Sequence, residues 1–195
     1  MNVSRPHLVF IYGPHAAGKF TTAQQVAQRT GFHFFHNQLT VTPVTALFAS
    51  GPVRSELQQH LRTVLLHAAA REGLRVVFTF AYSGAVDDAF VDRIAAAFTA
   101  ADGTVDFVQL HAPASTLLER VSNASRVELG KMSDPRVLTR TLTERDLYAT
   151  VKHDRNLRLD TSMRSAQQNA DLIIDHYNLP RAGQKPGFSH TGSVM

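Results

Sequence analysis

Lys19 has the clearest chemistry in this chain. It closes the stretch Gly13-Pro14-His15-Ala16-Ala17-Gly18-Lys19-Phe20-Thr21, in which two glycines bound four residues and a lysine follows the second. Gly13 and Gly18 permit backbone angles that a side chain forbids. The N–H groups between them can then face inward as a nest for phosphate oxygens. A helix beginning at the end of the loop adds partial positive charge. Lys19 supplies a point charge for a β- or γ-phosphate. An apolar run, His7 to Tyr12, precedes the loop, and a helical stretch, Thr22 to Arg29, follows it. Strand, glycine-bounded loop and helix form the context that a phosphate-binding loop requires. Outside that context the same spacing would be only a turn that contains Gly-Lys.

One position departs from the pattern. A Ser or Thr after the lysine ligates Mg²⁺ through its hydroxyl. Here that place holds Phe20, and Thr21 comes one residue later. Thr21 is therefore expected to act on a metal only indirectly. Mg²⁺ retains most of its waters readily, so it can ride on nucleotide phosphates with the protein outside its first ligand sphere.

Further polar candidates lie where predicted strands end. His36, Asn37, Gln38 and Thr40 follow the second strand, and Arg54 opens a long helix. Tyr82 to Asp88 follows the third strand, and His111 ends the fourth. Arg120, Arg126 and Lys131 form a basic segment farther on. Phosphoryl transfer needs cations around the moving group more than it needs covalent chemistry. His36 can serve as a general base near neutral pH. Asp87 or Asp88 can fill the same role. Each has a plainer alternative: a strand-end histidine bonded to backbone, favourable charge at a helix N-terminus, a solvated helix face for Arg54 and a solvated basic loop for the segment 120–131.

The elements that position these residues alternate. Strands are expected over 7–12, 32–36, 75–82, 104–111 and 156–160, and helices over 18–29, 43–50, 53–71, 85–101, 113–122, 135–148 and 163–177. In the helix 53–71, Leu57, Leu61, Val64, Leu65 and Ala68 share one face, with Arg54, Gln58 and Arg62 off it. In 85–101 the stripe is Val86, Phe90, Ile94 and Phe98. The stretch 123–133 reads as a polar loop. This order predicts a three-layer α/β/α fold with a five-stranded parallel sheet, whose ligands bind at the carboxyl ends of the strands.

Composition bounds the function. The 195 residues are 44% hydrophobic and 18% charged, with a net charge of +4 and no cysteine. One domain is expected over 1–179, with a mobile tail over 180–195. Disulfide and thiolate-metal chemistry is excluded. Ten histidines show no helical His-x3-His pair, and His33 and His36 fall on opposite faces of a strand. The positive charge is mild and unclustered, so no nucleic-acid partner is inferred. No run reaches membrane-spanning length and no signal-peptide layout opens the chain. A cytoplasmic protein, monomer or homodimer, is expected.

The motifs carry a resemblance. GPHAAGKFTTA is similar to the phosphate loop of small P-loop kinases, among which adenylate kinases also lack a hydroxyl directly after the lysine. FHFFHNQLT resembles a stretch of bacterial shikimate-kinase-like P-loop proteins. FTFAYS, FVQLHAP, SRVELGKMSDP and LRLDTS extend the resemblance over residues 8 to about 178. It implies a P-loop NTPase fold of the kinase type, ATP with Mg²⁺, and transfer of the γ-phosphate to a small-molecule acceptor. ATP would lie on Gly13, Pro14, His15, Ala16, Ala17, Gly18, Lys19, Phe20 and Thr21. Residues 120–134 would be a lid, with Arg126 making a closing contact and Arg120 a standing one. Asp160, Thr161 and Ser162 would pack near the adenine. Residues 37–72 would hold the acceptor, with His36, Asn37, Thr40, Arg54 and Tyr82 as its contacts, and Arg54 suited to an anionic one. Shikimate kinases carry an acid at the end of strand two, where this chain has His36 and Asn37. The rival readings are a nucleotide-binding regulator without transfer activity and a polynucleotide kinase. The second lacks the aromatic-basic stripe it would need.

Overall fold

His7–Tyr12 becomes β1, the central strand of the molecule, and all but its first residue are fully buried. Such burial on both faces is what a continuous apolar run requires of a parallel strand. The computed structural model describes residues 5–128 and 130–183. In chain order the elements are β1, α1 (Lys19–Thr30), β2 (His33–His36), α2 (Gln38–Leu47), α3 (Pro52–Arg71), β3 (Arg75–Phe80), α4 (Ala85–Ala100), β4 (Thr104–His111), α5 (Ala114–Val121), α6 (Ala124–Glu128), α7 (Pro135–Glu144), β5 (Asn156–Asp160) and α8 (Ala166–His176). The sheet is parallel throughout, in the order β2-β3-β1-β4-β5.

Alternate residues of each strand point to opposite faces, and so build two cores. Val9, Ile11, Val77, Val108 and Leu110 face Val26, Leu117, Ala170 and Ile173 from α1, α5 and α8. Leu8, Phe10, Phe78 and Phe107 face Leu66, Phe90, Ile94 and Phe98 from α3 and α4. On that second face Phe10 meets Phe78 edge-on at 5.2 Å and Phe107 at 5.4 Å. Each buried phenylalanine contributes about 2–3 kcal/mol. The three-layer architecture and the five-stranded parallel sheet are as the alternation predicts.

Several local expectations need correction. The polar stretch 123–133 contains a short helix, α6. The second helix starts at Gln38, earlier than its apolar run, because Thr40 N–H and Thr40 Oγ1 both donate to the Asn37 carbonyl and set the first turn. The last helix starts at Ala166, later than expected, where Ser165 caps it and forms a capping box with Gln168. Val86 lies 76% exposed, outside the stripe of Phe90, Ile94 and Phe98 that does face inward.

The largest correction is α3. Its buried residues are Arg62, Leu66, Ala69 and Ala70, while Val64 and Leu65 are each 49% exposed. The polar stripe of Arg54, Gln58 and Arg62 faces the interior cleft, and the apolar stripe is turned partly outward. Residues 180–183 are tied to the fold. Ala182 N–H donates to the Arg29 carbonyl at 2.6 Å, and Arg181 pairs with Asp175 at 2.7 Å. The rest of the expected tail lies outside the described residues.

Candidate nucleotide and acceptor cleft

The cleft opens at the carboxyl ends of the strands and encloses about 860 Å³. That volume is within the range of small-molecule sites. The loop between β1 and α1 forms its floor. Gly13 has φ 133°, and a Cβ there would sit 2.0 Å from the Leu110 carbonyl oxygen, so no side chain fits. Gly18 takes the left-handed conformation at the N-cap of α1. No side chain caps this helix and no acid lies in its first turn. Its leading N–H groups are therefore left for an anion.

Lys19 Nζ donates to the carbonyls of Gly13 at 2.8 Å and Pro14 at 2.6 Å. Burial, reinforced by Arg126 and Lys131, pushes its pKa down to about 7. His15 is half-buried, and burial with the charges of Lys19, Arg126 and Arg145 pushes it to about 3, so it stays neutral. Ala16, Ala17, Phe20 and Thr21 also border the cleft. Thr21 Oγ1 donates to the Gly18 carbonyl at 3.0 Å and is exposed.

Phe20 meets Phe34 at 5.1 Å and His36 at 4.9 Å, both in T-shaped contacts. Lys131 Nζ sits 3.5 Å from the centre of its ring. Arg126 Nε donates to the Met132 carbonyl at 2.9 Å and closes the turn that carries Lys131. Gln38 Nε2 joins that turn to the start of α2 by donating to the Gly130 carbonyl at 3.0 Å.

Arg120 donates to Thr161 Oγ1 at 3.2 Å, the Thr161 carbonyl at 2.8 Å and the Ser162 carbonyl at 3.3 Å. Thr161 is buried and bonded to the His111 carbonyl, so the segment after β5 is a fixed shelf beside the cleft. Asp160 does not border the cleft. It is exposed and accepts from Ser162 N–H and Oγ instead.

The opposite wall comes from α3 and the segment after β3. Arg62 is only 9% exposed and lies against the Phe80 ring. Its Nε donates to Asn37 Oδ1 at 2.7 Å, and burial lowers its pKa to about 10. Arg54, Arg145 and Asp87 complete this wall. Asp87 is the one carboxylate lining the cleft among the described residues. Its Oδ2 accepts from Ser83 N–H at 2.7 Å, and burial raises its pKa. His36 is held below its ordinary value by burial and Lys131, with Nδ1 buried and unpartnered.

Two expected acceptor contacts lie elsewhere. Tyr82 is 2% exposed and does not border the cleft. β3 ends two residues earlier, the ring packs on Tyr12 at 5.5 Å, and the hydroxyl donates to Asp88. Thr40 is fully buried and bonded to Asn37. Sequence reasoning missed Arg62 and Arg145. The one signal for Arg62 is its helical spacing with Arg54 and Gln58.

Eight cationic side chains line this cleft: Lys19, Arg54, Arg62, Arg120, Arg126, Lys131, Arg145 and Arg164. Among the described residues none of them forms an ion pair with a carboxylate. Such a cluster raises the energy of the unliganded state and is relieved by anions. It suits one or more highly charged ligands.

Direct protein ligation of Mg²⁺ does not fit these residues. Phe20 has no ligating atom, Thr21 is turned to Gly18, and Asp87 is bonded to Ser83. No group of three or more His, Cys, Asp or Glu is placed to hold a metal ion among the described residues. Among those residues no helix is long and apolar enough to cross a membrane.

The sequence matches no protein-family model and no curated protein. Solved kinases share its fold. An unliganded sugar kinase from Janibacter sp. HTCC2649 has a TM-score of 0.64 at 19% identity, over 90% of this chain and 95% of that one. The shikimate kinase of Acinetobacter baumannii, in complex with shikimate, has a TM-score of 0.58 at 21% identity, over 88% and 92%. The Mycobacterium tuberculosis APS kinase, in complex with AMPPNP and APS, has a TM-score of 0.56 at 14% identity, over 90% and 99%. The chain therefore has the fold of P-loop small-molecule kinases.

Proposed function

We propose that this protein transfers the γ-phosphate of ATP to a small anionic acceptor. The observation that carries the reading is a cleft lined by eight cations, none of which pairs with a carboxylate among the described residues, and bordered by the uncapped N-terminus of α1. In this reading the triphosphate lies on residues 13–21, with Lys19 leaving the carbonyls of Gly13 and Pro14 to meet it. The base lies on Thr161, and Arg120 holds that shelf in place. Residues 120–134 act as a lid that brings Arg126 and Lys131 over the phosphates and excludes water. Mg²⁺ arrives on the nucleotide. One domain over 1–179 carries the whole site, with the acceptor in 37–72.

The acceptor wall has the charge of Arg54, Arg62 and Arg145 against Asp87 alone. An acceptor that carries a carboxylate or phosphate satisfies it. The acceptor hydroxyl attacks the γ-phosphorus in line, its proton passes to Asp87 or His36, and ADP leaves. Cations in a low-dielectric cleft stabilise the charge on the equatorial oxygens.

The test is a thermal-shift titration with ATP and AMPPNP. An ATP-consumption screen over hydroxy acids, phosphorylated sugars, neutral sugars and nucleosides follows it. Nucleotide stabilisation with turnover on an anionic acceptor is expected. Stabilisation without turnover on any acceptor favours a nucleotide-binding regulator instead. No nucleotide effect at all removes the reading.

A further inference from the structure

We infer that Phe20 recruits Lys131 as a protein-borne cation beside the phosphate loop, in place of the metal-ligating hydroxyl that such loops carry. The inference rests on the nucleotide reading above. It concerns a position that looks like a defect in the loop.

The aromatic residue is not a passive substitution. Phe34 and His36 hold the ring in edge-to-face contacts, and Phe20 borders the cleft. An ammonium 3.5 Å from the centre of such a face is attracted by the ring quadrupole, and more strongly where water is scarce. Lys131 is delivered by a tight turn. Gly130 has φ 59°, Lys131 N–H donates to the Arg126 carbonyl at 2.8 Å, and Gln38 holds the Gly130 carbonyl.

The same ammonium acts on the phosphate site. Its charge depresses both Lys19 and His36. Lys131 and Lys19 line the same cleft, and Lys131 sits on the ring of the residue that follows Lys19, so both can act on one polyphosphate. Thr21 Oγ1 donates to the Gly18 carbonyl, and Asp87 Oδ2 accepts from Ser83 N–H. The corner next to Lys19 is thus supplied with charge by a side chain, at a position where Phe20 offers no ligating atom.

The full-length protein is titrated calorimetrically with AMPPNP, once in excess Mg²⁺ and once in EDTA. The wild-type affinities are expected to differ by less than tenfold. Lys131→Met is expected to lose at least fivefold more affinity in EDTA than in Mg²⁺. Phe20→Leu, which keeps apolar volume and removes the ring face, shifts the same way. Phe20→Ser restores a hydroxyl and is expected to widen the Mg²⁺ dependence beyond that of the wild type. A wild-type loss of tenfold or more in EDTA overturns the inference while leaving nucleotide binding intact. Equal losses for Lys131→Met in both buffers do the same. AMPPNP that binds under neither condition overturns the nucleotide reading along with it.

Discussion

The two walls of the cleft obey opposite sequence logic. The phosphate wall is contiguous: residues 13–21 carry the turn glycines, the lysine and the helix start. The proposed acceptor wall is assembled from three distant segments. Arg54 and Arg62 come from α3, Asp87 from the first turn of α4, and Arg145 from the residue after α7. A contiguous site can be read from spacing because backbone geometry alone fixes it. An assembled site depends on which face of each helix turns inward, and the rest of the fold decides that.

The largest effect expected from breaking this division is on the phosphate wall. Lys19→Ala should lower ATP affinity by about 100-fold, the loss of a buried charge-assisted contact. Calorimetry and the loss of the thermal shift measure it. Unchanged affinity would remove the site from this loop.

The matching cut on the other wall is Arg62→Met. Nucleotide affinity should stay within about twofold. Affinity for the acceptor identified by the screen should fall about 10- to 100-fold, the range for a bond to a charged group. Methionine keeps apolar contact with Phe80 and removes the guanidinium with its bond to Asn37 Oδ1. A variant that loses nucleotide affinity instead would mean that the two walls are not separate.

These variants also mark the line between what the sequence discloses and what it hides. Sheet, strand alternation and phosphate loop are legible because each rests on local rules: period-two burial, glycine at positive φ, a lysine at a helix start. Helix α3 is not legible in the same way. Its apolar stripe at Leu57, Leu61, Val64 and Leu65 predicts burial, yet the Arg62 side is the one turned inward. A helix that lines a cleft reverses the usual rule, because its ligand-facing side must be polar. Tyr82 errs the other way, since a polar hydroxyl at a strand end looks available until Asp88 engages it. The Phe20–Lys131 contact joins residues 111 positions apart, so no local pattern announces it.

The proposed lid contributes to closure and not to either wall alone, so its loss should be smaller and divided. Arg126 Nε holds the Met132 carbonyl and its charge reaches Lys19 and Lys131. Arg126→Ala should lower turnover about tenfold, with ATP affinity changing by about threefold or less, because a closing contact acts mainly on the transition state. Steady-state kinetics with the identified acceptor separates the two. Equal losses in both would make Arg126 a standing nucleotide contact.

The gentlest probe of the division is pH. Lys19 lies at about 7 in the unliganded fold and at 10.5 unperturbed, and Lys131 at about 8. Between pH 7 and 10.5 the unfolded chain holds the Lys19 proton and the folded chain has released it. Stability of the unliganded protein from this group is therefore lowest below pH 7 and rises through that window. Nucleotide binding runs the other way. Phosphate oxygens favour the charged ammonium and draw its pKa back up, so binding takes up about one proton near pH 8. AMPPNP affinity should fall as pH rises from 7 to 9, by up to about tenfold per unit. Calorimetry in buffers of different ionisation enthalpy counts the proton. Arg62, at about 10, keeps its charge over the same range, so acceptor affinity should stay flat. A nucleotide affinity that is flat as well would mean that Lys19 is charged before the phosphates arrive, and that the cations of the phosphate wall do not depress one another.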